Sequence, residues 1–265
     1  MELEEAVPTM SAENHSQSAS EPASSGAARA APELAGNRLL AGLPGEETER
    51  LRAVATRERW RMRQVLYEQN GAMESVYFPQ DGVFSQLVEM ADGGIIEVLT
   101  IGSEGMIGLP AVMGATRSPI RAMCQIGGWA IRIPTSALIQ AAPRDGVLFD
   151  RLTRYAQAQM TSLTRSVACN RLHSAQQRYA RWVLTTQDRV GTDEFPITQD
   201  FLSQMLGVTR PTISAVGQEL LAAGLIHYAQ GRLTVDDRAG LERVACECYA
   251  AVRSSFDELL GEPRG

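Results

Sequence analysis

Four hydrogen-bonding side chains recur on one side of a predicted helix near the C-terminal end of the chain: Arg210, Thr212, Ser214 and Gln218. Side chains of these types donate to and accept from the edges of bases in the DNA major groove. A single alanine is interleaved with them on that side. The chemistry that this set predicts is recognition of DNA by hydrogen bonding.

Two helices and a sharp turn are predicted to position these side chains. The spacing predicts a first helix from Gln199 to Leu206, a turn at Gly207 and a second helix capped by the Thr209 hydroxyl. Pro211 falls in the first turn of the second helix, where a missing N–H costs nothing, and an apolar stripe is formed by Ile213, Val216 and Leu220. This is helix-turn-helix spacing. An ordinary αα-hairpin is the alternative.

A short β-hairpin is predicted directly after the second helix. Ile226 to Tyr228 and Arg232 to Val235 form its strands, and Gly231 ends the turn between them. A hairpin in this place makes the motif a winged helix-turn-helix and favours DNA binding over the ordinary αα-hairpin. The predicted DNA contacts are Gln199, Thr209, Arg210, Thr212, Ser214, Gln218 and Arg232.

The charge distribution is uneven. The net charge is −6, yet six acids and only one arginine lie in residues 1–36, which are rich in Ala, Ser and Pro and are predicted to be a disordered tail. The remaining chain is close to neutral, and all 25 basic residues are arginine. Affinity for DNA must therefore come from individual contacts at the helix-turn-helix and not from a broadly basic domain. No apolar run approaches the roughly 20 residues of a membrane span, and we expect a cytoplasmic protein.

The middle of the chain predicts a small β-barrel or jelly-roll domain over residues 37–146. Regularly spaced apolar segments end at glycine or proline turns: Ser75–Phe78, Val83–Met90, Ile95–Ile101, Arg121–Ile126 and Trp129–Ile133. The predicted fold class is therefore α+β, with this roll, a helix over residues 147–168, the winged helix-turn-helix over 169–240, and a C-terminal helix and tail over 241–265.

The helix over 147–168 is predicted to join two copies of the chain. Its apolar residues recur at three- and four-residue intervals over about five turns, which suits packing against a second copy. The predicted dimer seam is Leu148, Leu152, Tyr155, Leu163 and Val167, with Gln159 or Met160 between its halves. The alternative is a helix that packs only on its own barrel.

This order of elements resembles the Crp/Fnr family of bacterial transcription regulators. The likeness covers about residues 37–260, and its motifs include 102–109 and 168–184. The turn 207–210 matches the family's Gly-x-[Ser/Thr]-Arg pattern, whereas Pro211 stands where a glutamate is frequent. The resemblance implies a cyclic-nucleotide-binding-type β-roll, a homodimer, DNA with a two-fold-symmetric site, and RNA polymerase as a partner.

The effector pocket that the resemblance implies departs from the family pattern. Members that bind cyclic AMP have a Gly-Glu pair for the ribose and Arg-Ser or Arg-Thr for the phosphate. Here Gly108 is followed by Leu109, which accepts no hydrogen bond, and Glu104 lies too early. The candidate pocket residues are Gly102, Glu104, Gly108, Arg117, Ser118 and Arg121. We expect no cyclic AMP binding in the family's manner, and another small ligand or none remains open; no cofactor is predicted.

The cysteines and histidines predict no metal site. No cysteine precedes Cys124, so the N-terminal cysteine cluster of the family's iron–sulfur members is absent, and Cys169 has no CxxC partner. Cys246 and Cys248 are placed on the last helix with His227 upstream, and residues i and i+2 of a helix point apart. Without catalytic motifs an enzyme is the weaker alternative; the stronger one is a ligand-binding signalling module without specific DNA binding.

Overall fold

The computed structural model describes residues 32–261. Residues 1–31 of the predicted disordered tail lie outside this range. The predicted tail boundary at residue 36 is too late, because Leu34 is buried in the core of the roll and the Gln80 amide donates to the Glu33 carbonyl at 2.6 Å. Packing therefore begins before Asn37.

The N-terminal half is a β-roll of two antiparallel sheets. One sheet has the order β1-β7-β3 and the other β2-β6-β4-β5. Three short helices, α1 to α3, accompany them, and the elements are α1 (Gly45–Arg52), β1 (Thr56–Trp60), β2 (Val65–Tyr67), β3 (Ser75–Pro79), β4 (Val83–Glu89), β5 (Ile95–Ile101), α2 (Leu109–Val112), β6 (Arg121–Ile126), β7 (Gly128–Pro134) and α3 (Thr135–Ala141). The five strands predicted from the sequence are confirmed, and β1 and β2 were missed.

Two helices carry the chain from the roll to the C-terminal domain. α4 (Val147–Leu172) is four residues longer than predicted. It ends at His173, whose backbone is extended, and α5 (Ala175–Val190) begins again with a capping box between Ser174 and Gln177. The capping box satisfies amides that a helix start leaves free, so α5 starts without help from α4.

The C-terminal domain is a winged helix-turn-helix followed by two helices. Its elements are β8 (Glu194–Pro196), α6 (Gln199–Leu206), α7 (Arg210–Ala222), β9 (Ile226–Ala229), β10 (Arg232–Val235), α8 (Arg238–Val244) and α9 (Cys248–Leu260). The three strands form a sheet in the order β8-β10-β9. The predicted α+β fold class is confirmed. Within residues 32–261, no helix is long and apolar enough to cross a membrane.

The two halves share apolar contacts. Val83, Leu87 and Ile126 of the roll join the core that α5, α6 and α7 build, so the second sheet packs against the C-terminal domain. At the other end of the chain, α9 returns to pack along α4, with the Tyr155 and Phe256 rings 6.1 Å apart.

The predicted dimer seam is wrong for its first three residues. Leu148, Leu152 and Tyr155 are at most 1% exposed and belong to the core of their own chain, whereas Leu163 and Val167 are 38% and 74% exposed. The predicted stripe joined two faces of α4 that differ by one residue, or about 100° of rotation. The periodic spacing of apolar residues shows that a helix buries one face. It does not show which surface covers that face.

The expected placement of Cys246 and Cys248 on one helix is also wrong. α8 ends at Val244, Ala245 is extended, and α9 begins only at Cys248. The non-helical link allows both sulfurs to point the same way, and they cluster with Cys169. His227 lies on β9, within the hairpin strand predicted for it, and is not part of this cluster.

Candidate DNA-binding surface and effector pocket

The helix-turn-helix is built by local hydrogen bonds that the sequence encodes. Thr198 caps α6 by accepting from the Phe201 amide at 3.2 Å, and Thr209 caps α7 by accepting from the Thr212 amide at 3.4 Å. Gly207 has a φ of 60°, in the left-handed region that glycine enters at no steric cost. These contacts confirm the predicted turn and the predicted cap.

The outward face of α7 presents its polar side chains to solvent. The Arg210 side chain is 67% exposed, with its Nε 3.1 Å from the Asp200 carboxylate of α6. The hydroxyls of Thr209 and Thr212 lie 2.8 Å apart, Ser214 is partly exposed and Gln218 is exposed. An ion pair this exposed contributes little to stability, so Arg210 is free to exchange Asp200 for another partner.

The wing adds a second cation beside this surface. Arg232 at the start of β10 is exposed and pairs with Glu194 of β8. The Tyr228 hydroxyl donates to the Ile197 carbonyl at 2.7 Å and fixes the hairpin to the segment before α6. Gln199 begins α6 and is partly buried. How these residues meet DNA stays a prediction.

The turn of the motif rests on the roll. A Cβ on Gly207 would lie 3.5 Å from the Ile96 side chain of β5, and Arg178 of α5 donates to the Leu206 carbonyl at 3.0 Å. The Trp182 indole donates to the Glu97 carboxyl of β5 at 3.3 Å. The turn before α7 and the helix α5 are therefore both in contact with β5.

Glu97 is the most perturbed acid in this contact. Its carboxyl accepts from the Ser85 hydroxyl at 2.6 Å and from Trp182. Burial raises the pKa of Glu97 to about 7, outweighing the hydrogen bonds and the more distant Arg189 and Arg181, all of which lower it. The carboxyl therefore titrates near neutral pH within the contact between the two domains.

Glu104 and Gly102 serve the domain contact, which corrects their assignment to an effector pocket. The Glu104 carboxylate is 2.8 Å from the Arg189 guanidinium of α5, and both side chains are less than 15% exposed. The Gly102 amide donates to the same carboxylate at 3.1 Å, and a Cβ there would meet the Arg189 side chain at 2.6 Å. Glycine at 102 lets Arg189 approach the backbone.

The other candidate pocket residues are occupied by partners within the roll. Arg121 lies 2.8 Å from the Glu89 carboxylate and 3.3 Å from that of Glu68, so its charge is already opposed. Arg117 is exposed and donates to the Asn70 carbonyl at 2.7 Å, and Ser118 is buried and donates to the Ile120 carbonyl. Gly108 has a φ of 97°, and a Cβ there would lie 2.8 Å from the Tyr67 hydroxyl. It is best explained as a turn former.

Comparison with known proteins finds a family match for the helix-turn-helix segment. Residues 177–244 match the Crp-like helix-turn-helix domain. This segment of the chain is therefore similar to the helix-turn-helix domain of Crp-like regulators. The match covers the segment from α5 to the end of α8, which contains the caps, the turn and the wing described above. A comparison with curated proteins finds no match.

Solved structures extend the likeness of fold to the roll. FixK2 from Bradyrhizobium japonicum superposes with a TM-score of 0.63 at 18% identity, covering 73% of this chain and 98% of that one. TTHB099, a CRP-family regulator from Thermus thermophilus, gives 0.60 at 20%, covering 71% and 96%. CLP, a c-di-GMP responsive regulator from Xanthomonas campestris, gives 0.60 at 15%, covering 73% and 100%. At such low identities, these superpositions establish a shared fold only.

The residues that join the two domains were not predicted from the sequence. Trp182 and Arg189 lie on α5, whose sequence is that of an ordinary amphipathic helix. Their partners in the roll lie 85 residues away for both Trp182 and Arg189. No local sequence pattern predicts pairs of residues that lie so far apart in the chain.

Proposed function

We propose that this DNA-binding regulator reads an inverted-repeat operator as a homodimer, inserting α7 into the major groove. The observation that carries the proposal is the outward face of α7, where Arg210 and Gln218 are exposed beside the wing. A two-fold dimer places two such helices about 34 Å apart, so half-sites would lie one helical turn apart. Transcriptional control in this manner calls for RNA polymerase as a partner.

The dimer is supported by the solvent-facing side of α4. Met160, Leu163 and Val167 form an exposed apolar stripe at three- and four-residue spacing, with Met160 66% exposed. The roll continues this surface with Met113 and Ile139, which are 67% and 52% exposed and line one groove beside α4. A stripe of this spacing suits an identical helix related by a two-fold axis. This replaces the first half of the predicted seam.

Specific binding is proposed to begin with an exchange of ion pairs. Arg210 breaks its ion pair with Asp200 and donates hydrogen bonds to a guanine edge. The Arg232 guanidinium breaks its ion pair with Glu194 and binds a phosphate. The displaced carboxylates lie close to where DNA would lie and oppose non-specific contact with phosphates. A near-neutral domain with neutralised arginines therefore favours selectivity over broad affinity.

We propose that the roll does not bind cyclic AMP in the family's manner. Either it binds a different small ligand or it binds no ligand. Leu109 is 5% exposed and occupies the place of the family's ribose-binding glutamate, so a ribose hydroxyl would lose water without gaining an acceptor. CLP is described as responsive to c-di-GMP, which shows that a shared fold does not imply a shared effector.

Selection of bound duplexes from a random pool by the purified protein tests the proposal. We expect an enriched inverted repeat with half-sites about 10 base pairs apart. Arg210→Ala should weaken binding to this site by about 1–3 kcal/mol and relax preference at one base pair in each half-site. Arg50→Ala, an exposed arginine on α1, is the matched control and should bind normally.

Two outcomes contradict the proposal. Enrichment of no sequence at all would favour the signalling module, since the roll would then act without a specific operator. Equal losses by Arg210→Ala on selected and random DNA would show that Arg210 contacts phosphate only.

A further inference from the structure

Four potential metal ligands converge where the long helix ends. Cys169 lies in the last turn of α4 and His173 follows that helix. Cys246 precedes α9, and Cys248 is its first residue. Their ligand atoms, three sulfurs and one imidazole nitrogen, all lie within 4.8 Å of one another. All three cysteines are free and at most 4% exposed. The sequence separates Cys169 from Cys246 by 77 residues, and the return of α9 along α4 brings them together.

The distances fit a single tetrahedral ion. Cys169 Sγ is 3.5 Å from Cys246 Sγ, and Cys248 Sγ is 3.7 Å from His173 Nδ1. Two thiolates bound at about 2.3 Å to one tetrahedral zinc ion lie about 3.8 Å apart. The observed separations therefore leave room for one ion at the centre, with small movements of the side chains. Three thiolates and one imidazole are a common donor set of structural zinc sites.

The surroundings of the cluster complete such a site. The second ring nitrogen of His173, Nε2, is 3.2 Å from the Glu247 carboxylate. A carboxylate in this position fixes the tautomer and the orientation of a ligating histidine. A zinc ion with three thiolate ligands has one net negative charge. Arg181, a cation, lines the same cleft as Cys248, and its Nε is buried and has no hydrogen-bond partner among the described residues.

We propose that Cys169, His173, Cys246 and Cys248 bind one zinc ion that fastens α9 to the end of α4. On binding, Zn²⁺ replaces the three thiol protons, which pass to solvent, and His173 binds as a neutral imidazole that donates from Nε2 to Glu247. The ion holds the junction between the roll and the DNA-binding domain, because His173 lies just before the residue that caps α5. This inference concerns metal binding and does not depend on the operator or on the dimer.

Metal analysis of the full chain, purified without chelators and without a metal-affinity column, tests the proposal. We expect one zinc per chain, lost in Cys169→Ser and in Cys246→Ser and retained in Cys124→Ser. Cys124 is the matched control because it is equally buried but lies in β6, with its thiol 3.4 Å from the Ile126 carbonyl. Glu247→Gln should keep the ion but bind it at least about tenfold more weakly in a chelator competition.

Two measurements on the unaltered protein guard against variants that fail to fold. Cobalt added to the chelated protein should give the intense thiolate-to-metal absorption and the visible bands of a tetrahedral Co²⁺ site. Zinc should protect Cys169, Cys246 and Cys248 from alkylation, mapped by mass spectrometry, and a chelator should expose these three but not Cys124.

Clear results overturn the proposal. The proposal is wrong if the folded, reduced protein binds neither zinc nor tetrahedral cobalt. It is also wrong if both Cys169→Ser and Cys246→Ser keep their full zinc content. A Cys169–Cys246 disulfide in metal-free protein purified under reducing conditions would show that these two cysteines form a disulfide pair instead of a zinc site.

Discussion

The two faces of α4 differ in what they bury. One face, which we call the inward face, carries Leu148, Leu152 and Tyr155 and then changes to the small or polar residues Gln159, Ser162 and Cys169, all buried within the chain. The other, the outward face, carries Met160, Leu163 and Val167, which are large, apolar and exposed. A polar residue can be buried when its hydrogen bonds are met inside the chain, whereas an exposed apolar stripe gains stability only from a partner. The inward face therefore stabilises the fold, and the outward face is the one that we propose as the seam between two copies.

The largest effect is expected on the inward face. Leu152→Asp should lower the stability of the chain by about 4 kcal/mol or more, because it leaves a cavity and buries an unpaired carboxylate. Thermal unfolding measures this loss. Gln157→Asp, at an exposed position of the same helix, is the control and should leave Tm nearly unchanged. A stable Leu152→Asp variant would show that this face is not core.

A smaller loss is expected from the polar part of the inward face. The Tyr155 hydroxyl donates to the Met106 carbonyl at 3.2 Å and accepts from the Gln159 amide at 2.6 Å. Tyr155→Phe strands both groups in the core and should cost about 1–3 kcal/mol in denaturant unfolding. In the Gln159→Leu background the cost of Tyr155→Phe should fall, because one stranded group is gone. Equal costs in both backgrounds would contradict this coupling.

A pH-dependent contribution is expected where the outward face meets the roll. Glu97 lines the cleft that Leu163 and Val167 also line. Because the pKa of Glu97 is raised from 4.5 to about 7 in the folded chain, the folded state holds this proton more tightly than the unfolded state does. Its contribution to stability should therefore fall as the pH rises from about 4.5 to about 7 and stay constant above that window.

The matched variant isolates this contribution from those of other acids. Glu97→Gln keeps a neutral side chain of similar shape, so the difference in Tm between it and the unaltered protein should change across this window. A difference that does not change between about pH 5 and about pH 8 would assign the carboxyl an ordinary pKa.

The smallest effect on chain stability is expected on the outward face. Val167→Asp should change the stability of the folded chain by less than about 0.5 kcal/mol, because the side chain is 74% exposed. It should nevertheless yield monomers by light scattering and weaken operator binding, since a charge would be buried in the seam between two copies. Ala168→Asp, about 100° around the helix, is the control. A dimeric Val167→Asp variant would exclude this stripe as the seam.

Local signals explain what could be predicted from the sequence. The bounds of α6 were correct because Thr198 and Gly207 act within one turn of the helix ends. β1 was missed because its Thr-Arg-Glu-Arg-Trp sequence carries charge on both faces and none of its residues is fully buried. The seam, the Glu104–Arg189 pair and the cysteine cluster depend on which distant surfaces meet. Periodicity along one segment carries no information about its partner.

The short link between α4 and α5 limits how the DNA-binding domain can move. Only His173 and Ser174 have extended backbone there, with a continuous helix before them and a capping box after them. Because so few backbone dihedral angles separate the two helices, the link acts as a short joint and not as a flexible tether. In the dimer that we propose, the angle of this joint contributes to the distance and the tilt between the two copies of α7. It therefore contributes to the spacing of half-sites that such a dimer accepts.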